Sequence, residues 1–339
     1  MSVSNRSNGA GQLVMMMMNI GLVGIGAGAA AALLFASVTT GSWLAIVLFY
    51  LAPLPVMIAG LGWSQWAALI AAASGALGLA VIFGGMFFIA FLASAGLPAW
   101  WLSYLALLAR PLAAPGEAAG SAGAPLEWFP PGRLMLWAAA LGALTVTFAI
   151  LTYGFDAESF RSGLHAGLER LLRLDTGSGP EAAKAKRFLD FLVDAIPPAA
   201  AVLSTLTNLL NLWLGALVVK FSGRLSRPWP ALADMQFPRL AAAALAIAVI
   251  LSFLGGLISI IAGVATASLL LAYGLLGFAV LHAITRGLGT RGFLLAGVYA
   301  AVLVFGWPLL VLCLVGLIDQ FFDLRGRVAR KRRGPPAPS

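Results

Sequence analysis

Long runs without charge decide what this chain can fold into. From Leu13 to Val38 no charged side chain interrupts 26 residues, and comparable runs recur as far as Phe322. As a helix, a stretch of about 18 or more such residues is long enough to cross the hydrocarbon of a bilayer. Of the 339 residues, 61% are hydrophobic and only 10% charged, whereas charged residues make up roughly a quarter of a soluble domain. The mean hydropathy of +0.97 agrees. The expected architecture is all-α, a polytopic transmembrane bundle of about nine to ten membrane segments, with the lipid bilayer as its first partner.

Charge narrows the function classes. A net charge of +9 would suit nucleic acid if the basic residues formed a patch or groove. Here they sit between apolar runs, where the positive-inside rule accounts for them, so no nucleic-acid partner is expected. Cys313 is the single cysteine, which excludes an internal disulfide and a thiolate zinc cluster. Lying in an apolar run, it reads as a small core residue.

Taken in order, residues 1–12 are polar and expected to be disordered. Leu13 to Val38 exceeds the roughly 7–15 residues of a signal-peptide core and reads as a retained first helix. Gly21, Gly24, Gly28, Ala32 and Ala36 give that helix a stripe of small residues, on which another helix could approach closely. That helix belongs either to the same chain or to a docking partner. Trp43 to Gly62 is the second segment, and Pro53 and Pro55 should kink or unwind it in mid-membrane. Gln65 to Phe83 and Met86 to Leu108 follow, the latter interrupted at Gly96-Leu97-Pro98 and carrying Trp100, Trp101 and Tyr104 as interface anchors. Residues 110–133 read as a flexible loop, and Leu134 to Tyr153 as the fifth helix.

Residues 155–194 form the one long polar segment. Phe160, Leu164, Leu168 and Leu171, then Phe188, Leu189 and Leu192, recur at helical spacing on either side of TGSGP at 176–180. This predicts two amphipathic helices resting on the extracytoplasmic membrane surface. The next helix spans from about Pro198 to Phe221, followed by helices at 240–257 and 261–284. The run 293–322 divides at Gly306-Trp307-Pro308 into two helices, because only ten crossings put the basic 221–239 loop, the basic 286–291 loop and the RVARKRR tail on one side. Both termini are then cytoplasmic. The expected organisation is a tail at 1–12, a six-helix membrane domain at 13–221, further membrane helices at 222–322 and a basic cytoplasmic tail at 323–339.

One helix is polar on one side. Ser204, Asn208 and Asn211 follow one another at spacings of four and three, with Thr207 beside them. Amides at membrane depth need partners, so the stripe should face protein or a water-filled cavity. Unwound backbone is tolerated at that depth only under the same condition, and transporters use such breaks for binding. The candidate ligand site therefore combines Pro53, Pro55, Ser204, Thr207, Asn208 and Asn211, with Trp63 or Tyr153 stacking on the ligand. Uncharged amides and hydroxyls suit a small polar or vitamin-like molecule better than an ion.

Signatures of catalysis are missing. The sequence has no HExxH, CxxC or GxSxG. Gly287, Gly289 and Gly292 match GxGxxG, but no strand precedes them. His165 and His282 have no second ligand nearby in sequence, and Asp319 and Asp323 are expected to pair with Arg325 or Arg327. No enzyme activity, metal or cofactor is expected.

Several stretches carry a family resemblance: LAPLPVMIAGLGWSQWAALIA at 51–71, GLPAWWLSYL at 96–105, Asn211 with the basic turn and PWPAL…FPR at 224–239, and GLIDQFFDLRGR at 316–327. In their order and spacing the chain resembles the YybS-like family of bacterial membrane proteins of unknown function. That family is similar, in its first six helices, to the substrate-binding S components of energy-coupling-factor vitamin transporters. The resemblance implies a bacterial cytoplasmic membrane protein that binds a small molecule. In S components a small-residue stripe on the first helix docks a membrane coupling subunit driven by ATPases, a part that Gly24, Gly28, Ala32 and Ala36 would play here. The last four crossings and the 155–194 segment have no counterpart in a minimal S component. The alternative is a membrane scaffold or assembly factor, in which the polar stripe only joins helices and the 155–194 segment and basic tail contact partners.

Overall fold

A computed structural model describes residues 3–112, 125–173, 180–231 and 235–333. Its helices group into two units, Met1–Phe129 with Leu206–Trp229, and Pro130–Thr205 with Pro230–Ser339.

The first unit contains α1 (Val3–Ala36), a 3-10 turn (Ser37–Thr40), α2 (Trp43–Tyr50), α3 (Pro53–Gly62), α4 (Gln65–Phe83), α5 (Gly85–Phe91), a π turn (Leu92–Gly96) and α6 (Leu97–Leu107). It also holds the C-terminal part of α9 (Pro180–Phe221). Serine side chains start two of these helices: Ser42 Oγ accepts from Ala45 N–H and Ser64 Oγ from Ala67 N–H, each at 3.2 Å. Each satisfies one of the orphan donors of a helix N-terminus. Pro98 does not stop the span in which it lies. The helix widens by one π turn instead, Leu97 N–H donating to Leu92 O, and continues as α6.

Small residues bring α1 and α4 together. A methyl group at Gly24 would meet Ile70 and the Ala67 carbonyl, and one at Gly28 would meet Ser74 and the Ala71 carbonyl. Ala67 and Ala71 of α4 are fully buried at this contact, and Ala68 and Ala72 are buried against Gly60 and Gly96. Where lipid is the alternative solvent, such close approach gains dispersion contacts that bulky residues would prevent. Phe35 closes one end of this seam, its ring 4.8 Å from Phe49 and 5.3 Å from Phe91.

In the second unit are α7 (Pro131–Leu151), α8 (Ala157–Leu172), the N-terminal part of α9, α10 (Arg239–Leu251), α11 (Gly256–Ile284), α12 (Arg291–Phe305), α13 (Pro308–Phe322) and α14 (Leu324–Arg333). The buried central helix is α11, packed by α7, α10 and α13. Against α13 the approach is again glycine-dependent. A Cβ on Gly277 would overlap the Leu312 carbonyl, and one on Gly316 would lie 2.6 Å from the Tyr273 carbonyl. Polar groups at this end are paired. Tyr273 Oη donates to Gln320 Oε1 at 2.7 Å, and Gln320 Nε2 donates to the Pro238 carbonyl at 2.9 Å. Asp319, buried to 4% exposure, accepts from the Arg325 guanidinium at 2.7 and 2.9 Å and from the Arg325 amide at 3.1 Å.

Among the described residues, seven helical spans are long and apolar enough to cross a membrane, and α10, α12 and α13 are shorter apolar helices. Val81, Phe293 and Leu303 are 87–88% exposed. Lipid, not water, is the environment that accepts such a surface. An all-α, membrane-embedded bundle is the architecture these helices support.

Three details differ from the sequence expectation, and a fourth agrees with it. The helix α1 extends back to Val3, so residues 3–12, expected to be disordered, continue it. The 110–133 loop is closed at its base by a two-stranded ribbon, β1 (Ala109–Pro111) with β2 (Leu126–Trp128), held by an Arg110–Glu127 ion pair; residues 113–124 lie outside the described ones. The second amphipathic helix and the stripe helix are a single element, because α9 runs through Pro197 and Pro198 without a break. Most of the 176–180 separator lies outside the described residues. As expected, the 293–322 run is two helices, parted at Gly306 with φ +71°, a conformation that suits glycine.

Candidate functional site

Proline chemistry builds the candidate site in the first unit. In a continuous helix, Pro53 and Pro55 would face the carbonyls of Phe49 and Leu51, but neither has an N–H to give. The chain tightens instead. Ala52 N–H donates to Phe49 O at 3.1 Å and Leu54 N–H to Leu51 O at 3.0 Å. This tightening separates α2 from α3 and diverts Leu54 from its helical acceptor, Tyr50 O. A side chain of α9 takes over there: Asn211 Nδ2 donates to Tyr50 O at 2.8 Å and to Thr207 O, one turn back on its own helix, also at 2.8 Å.

The other half of the amide pair is not satisfied. Asn208 and Asn211 are 1% and 0% exposed, yet Asn208 Nδ2 and Asn211 Oδ1 have no hydrogen-bond partner. An unpaired donor and an unpaired acceptor thus lie a turn apart on one helix, and Asn211 also bonds the proline break. Each such buried group costs about 1–3 kcal/mol unless something completes it. Around them α9 packs closely on α3, with a Cβ at Gly215 falling 3.3 Å from Met57 and one at Gly62 falling 3.4 Å from Val219.

The remaining expected site residues are placed as follows. Pro53 is buried and Pro55 half-buried. Thr207 contributes its backbone carbonyl to the network. Ser204 is half-buried and belongs to the second unit. Trp63 is occupied within the chain, the Arg224 guanidinium lying 4.5 Å from its ring centre. This contact belongs to a set that holds the basic turn, with Lys220 over Trp229 at 4.7 Å and Arg227 Nη1 donating to Ala106 O at 3.0 Å. Tyr153 lies in the second unit, where its ring packs edge-on against Phe160 at 5.9 Å. Of the small-residue stripe, Gly24 and Gly28 are taken up by α4, while Ala32 and Ala36 are half-buried.

Thr205 is a buried polar residue that the sequence stripe passed over. In the second unit its hydroxyl donates to Ala201 O at 2.8 Å and lies 3.3 Å from Ser268 Oγ, both residues fully buried. From 201 onward the buried positions of α9 are 201, 205, 208, 211, 212, 215 and 219, at helical spacing. Thr205 is buried at the edge of this face, while Ser204, in line with Asn208 and Asn211, is half-buried. The histidines are paired singly: His282 Nε2 lies 2.9 Å from Tyr299 Oη, and His165 Nε2 lies 3.9 Å from Asp190. Among the described residues no group of three or more His, Cys, Asp and Glu side chains gathers as a metal site.

Comparison of the chain with protein-family models, with curated proteins and with solved structures gives no match.

Proposed function

We propose that this is a membrane-embedded binding and transport protein for a small polar or vitamin-like solute. The observation that carries the reading is the unsatisfied amide pair. A ligand with one acceptor and one donor would complete Asn208 Nδ2 and Asn211 Oδ1 together, at the point where the helix break already departs from regular structure. The resemblance to S components supports the same reading. On it the protein lies in a bacterial cytoplasmic membrane with both termini in the cytoplasm, and a coupling subunit with its ATPases supplies the energy. With Gly24 and Gly28 engaged by α4, that subunit would meet α1 at Ala32 and Ala36.

A second reading has its own observation. Asn211 already joins α9 to the break through Tyr50 O, which is what a scaffold needs and involves no ligand. Native mass spectrometry of the protein, gently extracted from its own host, separates the two. Solute binding predicts a small molecule retained by wild type and lost from the Asn208→Leu variant, whose fold is unchanged. A wild-type protein carrying only lipids and other membrane proteins would favour the scaffold.

A further inference from the structure

A second site lies in the second unit, away from the asparagine pair. Helix α8 and the first turns of α9 present matched charges to each other. Arg161 and His165 stand four residues apart on α8; Asp190 and Asp194 stand four apart on α9. The pairs Arg161–Asp194 and His165–Asp190 are separated by 3.5 and 3.9 Å, longer than the about 2.7–2.9 Å of a close charge-assisted hydrogen bond. Along these residues runs a groove of about 400 Å³, with Lys186 also on its wall. This volume falls within the roughly 300–1,000 Å³ of small-molecule sites. A smaller cavity of about 150 Å³ shares Arg161, Val193 and Asp194 with it and reaches Phe160, Pro197, Pro198 and Ile260. The combined site thus sets charged side chains beside apolar ones.

Three features select the occupant. First, the α9 wall carries acceptors: the carboxylates of Asp190 and Asp194 line the groove and can accept from a group with N–H bonds. Second, Arg161 and Lys186 provide an anion-binding side, and a guanidinium suits a phosphate. Third, the same helices expose Leu171, Phe188 and Phe191, at 76%, 51% and 66%. Apolar side chains on an amphipathic helix lie in the acyl boundary, which sets the groove at headgroup depth.

We propose that this groove binds the headgroup of a phospholipid bearing a primary ammonium. The phosphate lies toward Arg161 and Lys186, the ammonium toward Asp190 and Asp194, and the start of the glycerol and acyl region over Phe160, Pro197 and Ile260. A quaternary choline has no N–H to offer these acceptors, and a glycerol headgroup has no cation, so ethanolamine-type lipid is preferred to both.

The test is native mass spectrometry of the full chain in detergent with dioleoyl phosphatidylethanolamine, phosphatidylcholine or phosphatidylglycerol at equal concentration. Wild type should retain the ethanolamine lipid about tenfold better than the other two, roughly what two exposed charge-assisted bonds supply. Asp190→Asn with Asp194→Asn should erase the preference, and Arg161→Gln should weaken all three lipids. Circular dichroism verifies that helix content is kept; should the double variant not fold, Lys186→Gln reports the phosphate side from an independent position. Equal retention of all three lipids by wild type overturns the proposal. So does displacement of the lipid by an equal concentration of soluble phosphoethanolamine, which would make the ligand a free zwitterion. Asn208 is untouched in every variant, so the outcome is independent of the solute site.

Discussion

Asn208 and Asn211 are nearly equally buried, but their substitution should have opposite consequences. Asn211 Nδ2 supplies the donor that Tyr50 O loses to the proline break. Asn211→Leu leaves that carbonyl bare and should cost about 1–2 kcal/mol, read as a lower thermal midpoint in detergent. Asn208 Nδ2 has no partner. Asn208→Leu, of similar volume, should be neutral or stabilising by up to about 1 kcal/mol, because it removes an unpaired buried donor. Equal losses for the two variants would mean that both amides only join helices. The break itself was legible in the sequence, since the lack of an N–H on proline is a local fact. The partner of Tyr50 was not, because nothing in a one-dimensional pattern says which carbonyl a distant amide will meet. Thr205 escaped for a related reason: it is buried by Gly142 of α7, whose missing side chain lets the two helices touch. That contact is tertiary, and Ser204 beside it looked equally good by letter.

At the scale of elements, glycine contacts and caps carry the predictions. Gly28→Ala places a methyl group against the Ala71 carbonyl, whereas Gly26 has nothing within 4 Å. The first should lower stability by about 1–3 kcal/mol and the second should not, as thermal unfolding of the two variants would show. Asp319→Ala leaves the Arg325 guanidinium without its buried carboxylate and should cost about 3 kcal/mol or more, with α14 losing hydrogen-exchange protection first. Helix α8 begins on Asp156, whose carboxylate accepts from the Ser159 hydroxyl at 2.6 Å and the Ser159 amide at 2.8 Å. The Ser159 hydroxyl, and then its amide, hold the Asp156 carboxyl below its ordinary value. A depressed carboxylate contributes stability above its unfolded value of about 3.9 and loses it as pH falls through the lower folded one. Exchange protection at the start of α8 should therefore be flat from pH 8 to 5 and fall only in stronger acid; Asp156→Ala should lose it at neutral pH. Most elements were legible from apolar runs and proline or glycine punctuation. The continuity of α9 was not, because two adjacent prolines read as a boundary while the packed helix tolerates them.

For the whole molecule, the proposed solute site requires that the chain cross a bilayer, with the break and the asparagine pair at depth. The seven long apolar spans and the largely exposed Val81, Phe293 and Leu303 support this. On the proposed topology, residues 155–194 lie outside and the basic 221–239 turn and the tail inside, as the positive-inside rule predicts. Cysteine labelling tests it most directly, with the native Cys313 replaced by alanine and single cysteines at Ser159 and Ser226. A membrane-impermeant reagent applied to intact cells should modify the Ser159→Cys protein and leave Ser226→Cys unmodified until the membrane is opened. Modification of both positions from the same side would contradict the topology and the placement of the site with it.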